Sequence, residues 1–88
     1  MTKLEIIFEM FPDEEFLKAD GLDDALIGVE TKTMRLIYSS SACIEILAKT
    51  MGFENAVEYF GFNIECAYMG EKTPIFCEEI VVDNPSNS

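Results

Sequence analysis

Histidine is absent from the chain, and only six lysines and arginines stand against seventeen aspartates and glutamates. Without an imidazole, a serine or thiol nucleophile lacks its ordinary activating base, and a mixed Cys/His zinc set cannot be completed. Cysteine is scarce and odd in number: Cys43, Cys66 and Cys77 form no C-x-x-C pair. The three thiols are read as small buried apolar residues, with no disulfide and no catalytic thiolate. No apolar run approaches the ~20 residues that cross a bilayer. The opening Met1-Thr2-Lys3-Leu4-Glu5 has neither the charged nor the apolar region of a signal peptide. These absences make cytoplasmic placement away from membranes the expectation. The shortage of cations gives a net charge of −11, which repels phosphates and anionic lipid. Direct nucleic-acid binding is disfavoured accordingly.

What is present is apolar and aromatic. Nearly half of the 88 residues are hydrophobic, with seven Phe and three Tyr, too many for a disordered acidic tail. The length suits one domain, read as residues 1–82 followed by a frayed polar tail over 83–88. No internal repeat or linker divides it.

Leu4, Ile7, Phe8 and Phe11 fall at helical spacing and predict a short N-terminal helix. Thr2 and Glu5 supply a capping box, and Pro12 ends the helix. Asp13-Glu14-Glu15 suits the first turn of a second short helix anchored by Phe16 and Leu17. Two aliphatic runs, Ala25–Glu30 and Met34–Tyr38, are separated by Thr31-Lys32-Thr33 and read as a hairpin without a turn glycine. In the second run Met34, Leu36 and Tyr38 share one face, and Gly28 in the first marks a bulge or a close approach. Ser39-Ser40-Ser41 offers helix caps for a helix over 41–51 carrying Cys43, Ile44, Leu47, Ala48 and Met51. Gly52 separates it from a helix over 53–69 with Val57, Phe60, Ile64, Ala67 and Tyr68 inward. Gly61 weakens that helix by about 1 kcal/mol and predicts a kink or a close contact. A last strand over 74–82 begins at Pro74. The fold class is therefore α+β: a small antiparallel sheet, hairpin 25–38 plus strand 74–82, against two helices. An all-helical bundle is the competing architecture, and it requires both short runs to be helical.

The stretch Asp20-Gly21-Leu22-Asp23-Asp24 concentrates carboxylates before a strand. A calcium loop fails, because the sixth position from Asp20 is Ala25 and the twelfth is Thr31. A loose magnesium site on Asp20, Asp23 and Asp24 is the remaining metal reading; a turn whose acids solvate the strand entrance is the simpler one. Gly70-Glu71-Lys72-Thr73 superficially resembles part of a phosphate loop, but Glu71 interrupts it and it follows a helix, so a closing turn explains it better. Ser39, Ser40 and Ser41 lack a base, and paired carboxylates would need a cleft deeper than this length readily builds. Phe53, Tyr59, Phe60, Phe62 and Tyr68 suggest a base-stacking platform only superficially; beside so few cations they are read as core. No cofactor, no metal and no enzymatic activity are expected.

The ordered blocks DGLDDALIGVE, MRLIYSSSACIEIL and AVEYFGFNIECAYMGEKTPIF are similar to a family of small acidic proteins of bacteriophages and prophages, a resemblance that covers Phe16 to Phe76. Glu65-Cys66 departs from that pattern, in which small residues precede the Ala67-Tyr68 pair. The resemblance implies a viral origin and a role inside the infected bacterium, and it implies no reaction.

Proteins of that class and size commonly bind and block a host protein, and here the acids are clustered. Asp13, Glu14 and Glu15, then Asp20, Asp23 and Asp24, then Glu71, Glu78, Glu79 and Asp83 are the candidate contacts. The expected function is an acidic interaction protein engaging a host protein with a basic, nucleic-acid-handling site. Imitation of DNA is one form of this, requiring carboxylate rows at roughly phosphate spacing, ~7 Å. The alternative is a structural or accessory phage protein, homodimeric through an apolar patch, whose acidity serves solubility.

Overall fold

The computed structural model describes residues 1–80 and 82. The proposed tail 83–88, and Val81 of the proposed last strand, lie outside them. Helix α1 spans Lys3–Met10 and begins with the reciprocal capping box: Thr2 N–H donates to Glu5 Oε1 at 2.9 Å, and Glu5 N–H to Thr2 Oγ1 at 3.1 Å. Its Ile7 is buried, with Leu4 and Phe11 packed beside it. The second short helix expected after Pro12 does not form. Glu14 N–H closes a turn onto Phe11 C=O, and the chain then runs irregularly to residue 19. Tertiary contacts take the groups that a helix would have used. Phe16 stacks on Phe8 and meets Phe11 edge-on, and Ala19 N–H donates to the buried Tyr38 Oη at 3.0 Å. A single turn of helix carries an unfavourable nucleation cost, and the irregular path that makes those contacts avoids it.

Strand β1, Leu26–Glu30, pairs antiparallel with β2, Arg35–Ser39, and the register shifts between Leu26 and Gly28. Gly28 thus marks a bulge; an added Cβ would meet nothing within 4 Å, so close approach is not its reason. The hairpin turn needs no glycine because Glu30 closes it. Its carboxylate accepts from Lys32 N–H at 2.9 Å and from both Thr33 N–H, at 2.8 Å, and the Thr33 hydroxyl. The Thr33 hydroxyl, then the two backbone donors, hold the Glu30 carboxyl below its ordinary range. Met34 ends the turn with φ 56, in the left-handed region.

On β2, Leu36 and Tyr38 are fully buried while Arg35 and Ile37 are half-buried, the alternation expected of a strand with one face on the core. Ser39 Oγ then accepts from Ala42 N–H and starts helix α2, Ser40–Met51. Gly52, at φ 83, turns the chain into α3, Phe53–Tyr59, which passes directly into a π-helical segment, Phe60–Glu65. Strand β3 is Ile75–Cys77, shorter than 74–82, and it runs parallel to β2. The sheet is therefore mixed, in the order β1-β2-β3, rather than antiparallel throughout. The two helices form a crossover that returns the chain to the same end of β2, and a parallel partner is the outcome. Three residues suffice at this edge, since Phe76 packs on both Tyr38 and Phe60.

Cys43 is fully buried in this core, as expected, but Cys66 is exposed and Cys77 half-buried. Burial pushes the Cys43 thiol up to about 11 and raises Tyr38 as well. The unfolded chain releases the Cys43 proton at its ordinary value of 9.0, before the folded chain does. The contribution is thus complete below pH 9.0 and lost as pH rises through about 11. Stability to urea is expected to fall across that window. At pH 8 a disulfide reagent is expected to label Cys66 rapidly and Cys43 only upon unfolding. Cysteine-to-serine variants followed by mass spectrometry check both the rate and the site.

Candidate interaction surface

The Asp20–Asp24 stretch resolves into an inward and an outward part. Leu22 and Ala25 are buried, bracing a single 3-10 turn over Asp23–Ala25, and Gly21 at φ 81 allows the approach. Asp20, Asp23 and Asp24 remain exposed. Asp23 pairs with Lys18 at 3.4 Å, and both Asp23 and Asp24 border a groove beside the start of α1. Asp20 lines a different groove, with Tyr59 and Asn63. Among the described residues, no three Asp, Glu or Cys side chains converge as metal ligands.

The remaining candidate acids fall in two further places. Glu14, Glu15 and Glu71 gather around Lys72, whose ammonium lies 3.2 Å from Glu14 Oε1 and 5.9 Å from the Phe16 ring centre. The same ammonium donates to Thr33 and Met34 C=O, each at 3.2 Å. Lys72 thus ties the hairpin turn to the N-terminal segment, a structural use in the closing turn that Gly70-Glu71-Lys72-Thr73 forms. Thr73 completes that turn: its buried Oγ1 accepts from Met69 N–H at 2.7 Å and donates to Gly70 C=O at 2.6 Å. Its C=O accepts from Arg35 Nε at 2.6 Å. Lys32, Arg35 and Lys72, half of the six cations, line one groove here with Tyr68 and Glu71. At the other end of the sheet Glu78 accepts from the Ser41 hydroxyl in the first turn of α2, and Glu79 follows it, exposed. Asp13 is exposed in the turn after α1. Asp83 lies outside the described residues.

The rings read as core are mostly not in it. Of Phe53, Tyr59, Phe60, Phe62 and Tyr68, Phe60 alone is buried; Phe62 is 81% and Tyr68 78% exposed. Val57 is exposed as well, and the inward residues are Ala56, Phe60 and Ile64. The stripe is rotated by one position because Ala56, the small residue, packs inward where α3 lies against α2. Apolar residues on both faces of the segment were the available signal, since a surface helix ordinarily has a polar outer face.

The π-helical segment carries Phe62 between two grooves. One is bordered by Tyr59, Asn63, Ile64 and Ala67, the other by Val57, Phe60, Gly61 and Glu65. Phe76 contributes to both. Comparison with protein-family models, curated proteins and solved structures finds no match to this chain.

Proposed function

We propose that the protein is a phage-encoded interaction protein that engages a basic, nucleic-acid-handling site on a host protein and modulates it. The observation that carries this reading is the uncompensated acidic surface. Every described Asp and Glu except Glu30 is exposed, and among the described residues only Lys18–Asp23 and Lys72–Glu14 form ion pairs. At a net charge of −11 such a surface attracts cationic partners over a Debye length of about 8 Å at physiological salt. The candidate acids occupy several faces, which suits encounter and orientation around a basic partner more readily than a single phosphate-like row.

A second reading has its own support. Phe53, Phe62, Tyr68 and Ile80 are exposed large apolar residues, each open to apolar contact in a homodimer or a phage assembly. Salt separates the two. Host proteins captured at low salt are expected to be released steeply as salt rises, and to be displaced by added duplex DNA. Asn at Asp20, Asp23 and Asp24 together is expected to weaken capture severalfold. Capture indifferent to salt, to DNA and to the triple substitution would leave the apolar reading in its place.

A further inference from the structure

Gly61 stands within the helical segment where glycine is the most costly residue after proline. Neither usual reason for it applies. Its φ is not in the left-handed region, and an added Cβ would meet no atom within 4 Å. The bare position instead borders a groove of 370 Å³ between α2, the α3–π segment and β3. Ile44, Val57, Phe60 and Phe76 give that groove an apolar lining, and Glu65 and Glu78 give it two carboxylates. No lysine or arginine lines it. Glu78 is held in place by the Ser41 hydroxyl.

From this we infer that the groove is a docking site for a basic amphipathic segment of the partner protein. An apolar side chain of that segment enters beside Gly61, and its lysines or arginines meet Glu65 and Glu78. Helix-in-groove recognition uses this division of labour, apolar anchors for affinity and flanking charge for choice. Charge identifies the occupant. A second copy would bring its own −11 and the same two glutamates, and nucleic acid would bring phosphates. The inference rests on the reading of a basic partner, and adds where that partner is gripped and by what chemistry.

A helical peptide with leucine on one face and lysine on the other is the probe, titrated into the full chain. Amide shifts are expected to move at Ile44, Val57, Gly61 and Phe76. Gly61→Leu fills the groove and is expected to weaken binding at least ~10-fold. Glu65→Gln with Glu78→Gln is expected to weaken it and to flatten its salt dependence. Gly61→Ala, which should raise the melting temperature while placing only a methyl in the groove, provides a variant that cannot fail for want of folding. It should bind a few-fold more weakly. Wild-type affinity in Gly61→Leu overturns the inference. Shifts confined to Asp20, Asp23 and Asp24 do so too, while leaving the broader acidic reading standing. No binding of the peptide also overturns it, and the salt-dependent capture then decides the broader reading separately. A dimer of the free protein that Gly61→Leu dissociates assigns the groove to a second copy and sinks the proposal.

Discussion

Tyr38→Ala is expected to remove a large share of the protein's stability. Tyr38 is fully buried on the central strand, its ring centre is 5.7 Å from that of Phe76, and its hydroxyl accepts from Ala19 N–H. Removing a buried aromatic ring costs about 3–5 kcal/mol, and a domain of this length has roughly 4–13 kcal/mol in total. The ring also joins three parts of the chain: the sheet, the segment before the 3-10 turn, and β3. Tyr38→Phe keeps the ring and orphans the amide, which costs about 1–3 kcal/mol. Urea melts followed by circular dichroism measure both. With a slope of about 1–3 kcal/mol per molar urea, the alanine variant's midpoint should fall by more than 1 M or so. Equal midpoints for the two variants would show that the ring does not pack as described.

Thr73→Val should be damaging too, despite conserving shape. The substitution removes one oxygen and strands Met69 N–H, which the hydroxyl satisfies; Gly70 C=O loses the hydroxyl but still accepts from Thr73 N–H at 3.2 Å. One partly buried group left unsatisfied and one acceptor with a bond fewer give an expected loss of about 1–3 kcal/mol. The effect should be local before it is global, because the turn delivers β3 to the sheet edge. Amide exchange should therefore accelerate first at Met69 and across Ile75–Cys77, with Leu36 following only at higher denaturant. Uniform acceleration along the chain would mean that the turn is not a separable unit. Thr73→Ser, which retains the hydroxyl, should restore most of the protection.

Local chemistry was legible wherever neighbours in sequence are also partners in space. The capping box of Thr2 and Glu5, the stop at Pro12, the burial alternation of β2 and the bulge at Gly28 involve short separations. Residue type and spacing suffice for those. The α+β class followed from them, because an amphipathic helix and half-buried strands must cover one another. The Asp20–Asp24 stretch was also readable as a solvated entrance to a strand. The hairpin turn was half readable: its place was evident, but the glutamate that closes it without glycine was not.

What sequence by itself determined, then, was the capped first helix and its stop, the hairpin, the starts of the two later helices, and an acidic exterior carrying −11. The tertiary structure decided everything that depends on which long-range partner arrives first. Asp13-Glu14-Glu15 had helical credentials and lost them to the Phe8–Phe16 stack and the Ala19–Tyr38 bond. β3 became parallel because the intervening helices bring the chain back to the starting end of β2, a direction no local pattern encodes. The outer helix turned Ala56 inward and left Phe53, Val57 and Phe62 in water. Periodicity reports that apolar residues share a face; which of two apolar faces is covered depends on the fit of the neighbouring helix. The same fit opened a space beside Gly61, whose missing side chain takes on a meaning only once the groove around it exists.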